Sequence, residues 1–144
     1  VLYFDTSALL KVIRTEPETF ALRGYLRDQG DQPHVSSALV RAEVARTVMR
    51  EADDDGVVDQ RLVTTARRAI QQLMLWRISD DVLHATWEIP GRYVRALDAI
   101  HVATALRINE QLSLSAFVTY DKRQAEAARA VGLAVACPRA ESAG

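Results

Sequence analysis

The feature that most limits what this chain can fold into is a regular alternation of short apolar runs with longer amphipathic ones. Val1-Leu2-Tyr3-Phe4 is apolar and aromatic, the composition of a buried strand. A helix is predicted from Ser7 to Arg14, and a second from Pro17, an early helical position, to Asp28 before Gly30. His34-Val35-Ser36 reads as the next strand and Ser37 to Glu51 as the next helix, broken by Asp53-Asp54-Asp55-Gly56. A long amphipathic helix over Val57 to Leu73 then leads to a strand near Leu75 to Ile78. Asp80 is expected to cap a helix that stops by Pro90-Gly91. A nearly all-apolar helix follows from Leu97 to Asn109, then a strand at Ala116 to Thr119, a helix from Lys122 to Ala130, a stop at Gly132 and a last strand from Leu133 to Ala136. Strands that alternate with helices predict βαβ units and a short, mostly parallel sheet covered on both faces. In such sheets ligands bind beyond the carboxyl ends of the strands, and that rule says which residues to inspect.

The bulk properties narrow the function. A length of 144 residues fits one domain with one core, and 49% hydrophobic residues suffice to fill it. No apolar run approaches the ~18 residues of a membrane span, and no basic stretch followed by an apolar one resembles a secretory signal. The single cysteine, Cys137, forms no internal disulfide, so a reducing cytoplasm is expected. One Cys and three scattered His exclude a zinc finger. The net charge of −1 excludes a protein that holds nucleic acid by bulk charge neutralisation. Any such binding must rest on a local basic patch, a bound metal or a partner.

Four acids fall where the parallel-sheet rule points. Asp5 follows the first strand directly, and Asp121 follows the Ala116–Thr119 strand with only Tyr120 between. Glu43 lies on the helix whose Leu39, Val40, Val44 and Val48 share one side, and at about 100° per residue it stands only about 60° from the centre of that side. Asp98 opens the apolar helix, where the helix dipole favours a carboxylate. Each has an ordinary reading: Asp5 and Asp98 as helix caps, Asp121 in a capping box with Gln124, Glu43 paired with Arg46 or Arg50. As a group they repel one another, so they must hold protons or share a cation. Oxygen-only ligands suit Mg²⁺ or Mn²⁺. The chain has no nucleophilic Ser or Cys elbow and no Gly-rich phosphate loop, so metal-assisted phosphodiester hydrolysis is the natural reaction class.

Near-complete segments then match a known family. Tyr3-Phe4-Asp5-Thr6-Ser7-Ala8-Leu9-Leu10-Lys11, Glu43 in its helix, Arg95-Ala96-Leu97-Asp98-Ala99-Ile100-His101-Val102-Ala103-Thr104-Ala105, Phe117-Val118-Thr119-Tyr120-Asp121 and Ala125-Glu126-Ala127-Ala128-Arg129 before Gly132-Leu133 occur in order along the chain. The sequence resembles the PIN-domain nucleases, most closely the VapC-type toxins of type II toxin–antitoxin systems. The resemblance implies a three-layer α/β/α fold, here over residues 1–137, and the sequence from Pro138 to Gly144 reads as a frayed tail. It implies a metal-dependent endoribonuclease that uses Mg²⁺ or Mn²⁺ and cuts RNA at a specific tRNA or rRNA site. It implies a homodimer and a cognate VapB-like antitoxin, a positively charged segment of which would pair with the carboxylates. By the same comparison Asp5, Glu43, Asp98 and Asp121 form the catalytic, metal-holding site, and Ser7 and Thr119 orient carboxylates or water.

Other residues carry weaker expectations. Arg92 and Arg95, just before Asp98, are candidates to contact RNA phosphates, with surface ion pairing as the alternative. His101 is expected to be a buried, hydrogen-bonded histidine rather than a catalytic base. His34 and His84 have no visible partner, the Asp53–Asp55 run reads as a solvated turn, Arg67 and Arg68 as a solvated face, and Cys137 has no activating neighbour. Trp76 and Trp87 are expected in core or dimer packing, with stacking on unpaired bases as the alternative. Two rival functions remain. A haloacid-dehalogenase-like aspartyl-phosphate hydrolase wants a second Asp two residues after the first, where this chain has Ser7. A non-catalytic PIN-like RNA- or protein-binding module would be expected to have lost acids, and all four are present.

Overall fold

The computed structural model describes residues 1–141. Among them the chain forms β1 (Leu2–Phe4), α1 (Thr6–Ile13), α2 (Thr19–Asp28), β2 (His34–Ser37), α3 (Val40–Arg50), α4 (Gln60–Gln71), β3 (Met74–Trp76), α5 (Asp80–Ala85), a 3₁₀ turn (Thr86–Glu88), α6 (Ala96–Gln111), β4 (Ala116–Val118), α7 (Lys122–Ala130) and β5 (Val135–Ala136). The sheet runs in the order β3-β2-β1-β4-β5 with every pair parallel. β1 is central, with Tyr3 beside Val35 on one side and Phe117 on the other. The alternation in β1 distributes the core. Tyr3 packs with Phe117, Val102, Ala105 and Ile108 on the α6–α7 face. Leu2 and Phe4 point the other way and pack with Ala8 and Leu22 on the α1–α2 face. A further cluster joins α1, α3 and α4 through Leu9, Ile13, Val40, Val44, Val48 and Ala66. The result is the expected three-layer α/β/α arrangement.

Several boundaries differ from the sequence reading, each for a local reason. Ser37 is the last residue of β2, opposite Trp76, rather than the first of a helix; its hydroxyl accepts the Leu39 N–H, and α3 starts at Val40. The second helix begins at Thr19 rather than Pro17. The Thr19 hydroxyl accepts the Glu16 N–H and donates to the carbonyls of Lys11 and Arg14, which holds residues 14–18 in a turn. α4 begins at Gln60 because the Asp59 carboxylate caps it, accepting from Arg61 N–H. β3 is set by pairing with β2 and so takes in Met74 and omits Ile78. α5 is capped by Ser79, whose hydroxyl accepts from Val82 N–H, and not by Asp80, which sits in its first turn. α7 ends as expected at Gly132, where φ is +84°. Near the end of the chain the Pro138 carbonyl accepts from Tyr120 Oη, and Arg139 lies 3.5 Å from Glu18. Residues 142–144 of the expected tail lie outside the described residues.

The strand order reverses direction between β1 and β4. The chain builds outward from β1 to β2 and β3, then returns to place β4 on the other side of β1. At that switch point the helices leaving adjacent strands diverge and open a crevice at the carboxyl ends. Asp5 and Asp121 are the residues that leave β1 and β4 there.

Candidate active site

Asp5 forms the floor of this crevice. It is fully buried and caps α1, with Oδ1 accepting from Ala8 N–H at 2.9 Å and from the Ser7 hydroxyl at 2.7 Å. Its Oδ2 accepts from the Thr119 hydroxyl. Burial pushes its pKa up, and the His101 imidazole and the hydrogen bonds from Thr119, Ser7 and Ala8 pull against that without cancelling it. Ser7 and Thr119 therefore both touch Asp5 directly. They also fasten β1 to the end of β4: the Ser7 hydroxyl accepts Tyr120 N–H at 2.8 Å, and Thr119 Oγ1 accepts Asp121 N–H at 2.9 Å.

Asp121 caps α7, with Oδ1 accepting from Gln124 N–H at 3.0 Å. The capping box expected of Asp121 and Gln124 does not close. The Gln124 side chain turns away and its Nε2 donates to Asp98 Oδ1 at 3.1 Å. Asp98 is the third residue of α6, not its cap, and its Oδ2 accepts from Arg95 N–H at 3.1 Å. Gln124 is thus the link between Asp98 and Asp121. It is 6% exposed, and its Oε1 is buried without a hydrogen-bond partner.

Glu43 enters from α3. It pairs with neither Arg46 nor Arg50. Its Oε1 accepts from the Thr6 hydroxyl at 2.8 Å and stands 2.6 Å from His101 Nε2. Burial raises the Glu43 pKa, but the hydrogen bond and charge of His101, with the Thr6 hydroxyl, outweigh it and hold the carboxyl below its ordinary value. His101 is fully buried one turn along α6 from Asp98, as expected of a hydrogen-bonded core histidine. Its Nδ1 lies 2.7 Å from Tyr3 Oη, which accepts Ser37 N–H at 3.2 Å. The Nε2–H donates to Glu43, and the direction of the hydrogen bond between Tyr3 Oη and Nδ1 is set by the imidazole tautomer.

One hydrogen-bonded chain therefore joins three of the carboxylates, running from Asp98 through Gln124 to Asp121 and through Thr119 to Asp5. Glu43 belongs to a second group with Thr6, His101 and Tyr3, which meets the first where Thr6 follows Asp5 in the chain. Sequence reasoning found the four acids and the two hydroxyls on Asp5. It missed Tyr3, Thr6 and Gln124 as members. Adjacency to Asp5 was a signal for Thr6, and the i+3 spacing from Asp121 pointed to Gln124 but to the wrong partner. Of the two arginines, Arg95 meets Asp98 through its backbone, and Arg92 lies 5.3 Å over the Tyr93 ring.

The acids are linked through intermediaries rather than gathered into a cage. Among the described residues no three His, Cys, Asp or Glu side chains stand as a ready ligand set. None of Asp5, Asp98 and Asp121 has a Lys or Arg within 4.0 Å among those residues, so no basic side chain occupies the place of a cation beside them. An oxygen-only, spaced set of this kind fits a hard divalent ion. Mg²⁺ keeps several of its waters and takes one or two carboxylates, so it does not need an enclosing cage. A separate hollow of 690 Å³ between α3 and α4 has apolar walls from Val44, Val48, Val63 and Ile70 and contains none of the four acids.

Comparison with known proteins agrees with this architecture. A family model described as PIN domain matches residues 2–130. The chain is 41% identical over 137 residues to Ribonuclease VapC46 of Mycobacterium tuberculosis (strain ATCC 25618 / H37Rv), covering 95% of this chain and 97% of that protein. It is 35% identical over 138 residues to Ribonuclease VapC35 of Mycobacterium tuberculosis (strain CDC 1551 / Oshkosh), covering 96% and 97%. Ribonuclease VapC47 of the latter strain is 37% identical over 142 residues, covering 97% and 98%.

Proposed function

Because the chain belongs to the PIN-domain family, with VapC-type ribonucleases as its relatives, we infer that its acidic crevice is the active site of an endoribonuclease, the toxin half of a toxin–antitoxin pair. One observation carries the reading: four carboxylates come from four separate segments to the switch point of the sheet, Asp5, Asp98 and Asp121 in one hydrogen-bonded network and Glu43 held by Thr6, the neighbour of Asp5, with no Lys or Arg side chain closing on Asp5, Asp98 or Asp121 among the described residues.

The roles follow from the hydrogen bonds. Asp5 is held in one orientation by Ser7, Ala8 N–H and Thr119 and is the fixed acceptor at the floor. Asp98 is fixed from two sides by Arg95 N–H and Gln124. Asp5 and Asp98 are the residues we assign to hold Mg²⁺ or Mn²⁺, and Glu43 and Asp121 complete the shell. When bound, such an ion supplies charge neutralisation at the scissile phosphate and a more acidic water. His101 holds Glu43 in place and is a positioning residue. Arg92 and Arg95, both exposed and on the segment that leads into Asp98, are assigned as contacts for RNA phosphates. The near-neutral net charge leaves recognition to RNA shape and a few bases, at a specific tRNA or rRNA site.

A VapB-like antitoxin with a basic segment would silence this site by pairing with the carboxylates, and a homodimer belongs to the same reading. The aspartyl-phosphate alternative is disfavoured because the second acid it needs is Ser7, whose hydroxyl is committed to Asp5 and Tyr120. Incubating purified protein with total RNA tests the proposal. Discrete fragments with 5′-phosphate ends, formed in Mg²⁺ or Mn²⁺ and suppressed by EDTA, are expected. Undiminished cleavage in EDTA would contradict it.

A further inference from the structure

Beside Asp98 the loop that enters α6 has a construction that the acidic site does not use. Ile89 and Val94 are partly buried and pack against the α6–α7 face of the core, Ile89 also against the cluster between α5 and α6. The residues between and around them face out. Trp87 is 89% exposed and Tyr93 72% exposed, with Arg92 over the Tyr93 ring and Arg95 leading directly to Asp98. The turn in the loop requires glycine: Gly91 sits at φ +121°, and a Cβ there would come within 2.8 Å of Val94 Cγ2. On one side of the loop, a hollow of 420 Å³ is lined by Trp87, Ile89, Val94, Arg95 and Ile100. On the other, one of 240 Å³ lies between Arg92, Tyr93 and the Arg123–Ala127 face of α7. Arg123 lies in the first turn of α7, the helix that Asp121 caps.

We propose that the Trp87–Arg95 segment is a stacking platform for unpaired RNA, which holds splayed bases on Trp87 and Tyr93 and phosphates on Arg92, Arg95 and Arg123 beside the carboxylates. The proposal rests on the ribonuclease reading and adds a place on the molecule, the surface on which the unpaired strand is held beside the acids. Two flat aromatic rings exposed next to guanidinium groups suit bases that have left a helix, because every base offers a π-face and each carries a phosphate. None of Arg92, Arg95 and Arg123 has a carboxylate partner within 4.0 Å among the described residues. That charge disfavours a second copy as the occupant. A two-fold interface centred here would bring the same three arginines against their own copies, with only Glu126 among the hollow-lining residues to offset them.

Binding without cleavage tests this separately from catalysis. A short, fluorescently labelled RNA of mixed sequence is titrated in EDTA, single-stranded and annealed to its complement. Wild type, Trp87→Ala, Tyr93→Ala and Phe20→Ala are compared, Phe20 being an 81% exposed aromatic on α2. The platform predicts tighter binding of the single strand by wild type. Trp87→Ala and Tyr93→Ala should each weaken it by at least about fivefold, and Phe20→Ala should leave it unchanged. The high exposure of both rings means that neither change should lower the melting temperature. Binding unchanged in both variants, equal affinity for the duplex, or no binding by wild type overturns the platform, even if RNA cleavage is intact. A shift in sedimentation from dimer to monomer in Trp87→Ala would reassign the patch to a second copy. If the variants lose binding while wild type cuts no RNA, the platform stands and the nuclease reading falls.

Discussion

At the scale of single residues, the site sets burial against charge. Asp5 is a carboxyl with no exposed surface, and its pKa is raised by that burial. The folded state therefore binds its proton more tightly than the unfolded chain. The Asp5 contribution is favourable below the unfolded pKa and is lost as pH rises through the folded one. Glu43 has the opposite sign: its pKa is lowered, so its contribution is present above the unfolded value and is lost as pH falls through the folded one. Asp5→Asn removes the first effect. Without metal, its melting temperature should exceed that of wild type by a margin that grows from about pH 4 to about pH 7, and RNA cleavage should be lost. A margin that shrinks over that range, followed by differential scanning calorimetry, would show that Asp5 is not a strained carboxylate. His101 is a different case, because its partners are all internal. His101→Ala strands Tyr3 Oη and Glu43 and leaves a buried hole, so urea denaturation should show a loss of about 2–4 kcal/mol.

At the scale of elements, Asp121 has two jobs that separate cleanly. It caps α7 through Oδ1 and brings a charge to the crevice. Asp121→Asn keeps the cap and removes the charge, so stability should hold within about 0.5 kcal/mol while cleavage falls at least about tenfold. Asp121→Ala removes both and should cost about 1 kcal/mol more in denaturant. Equal activity in the Asn variant would reduce Asp121 to a helix cap. The same elements mark how far the sequence was legible. Asp5 and Asp121 were readable because each follows an apolar run directly, and a parallel sheet sends both to one edge. Helix existence was readable from periodicity. The starts of α3 and α4 were misread because Ser37 and Asp59 settle them through one hydrogen bond or one strand pairing each. The route from Tyr3 to Glu43 was not readable. Tyr3 looked like any strand aromatic, and its hydroxyl acquires a role only when α6 lays His101 over β1. Trp87 shows the reverse limit: of the core and dimer packing expected of it, the core is excluded, because it lies on the surface of the chain in the short 3₁₀ turn after α5.

At the scale of the whole molecule, the arrangement is a small parallel sheet whose switch point collects acids from four places in the chain. No helix among the described residues is long and apolar enough to cross a membrane. Bringing like charges together destabilises the fold, and a cation that binds only the folded state offsets this. At a free Mg²⁺ concentration of about 100 times its dissociation constant, the linkage is worth about 2.7 kcal/mol, a rise of roughly 5–10 °C in melting temperature. Asp98→Asn should blunt that rise. An unshifted melting temperature in wild type across a wide Mg²⁺ range would argue that the acids hold no ion.

The most direct test of the central claim is a side-by-side cleavage assay. Wild type and Asp98→Asn, each verified as folded by its melting curve, are incubated with total RNA in Mg²⁺ or Mn²⁺ and in EDTA. Metal-dependent fragments from wild type alone, with Asp98→Asn reduced at least about a hundredfold, are the predicted result. Equal cleavage by the two proteins would contradict the account, because it would take the chemistry away from the carboxylates that this fold brings together.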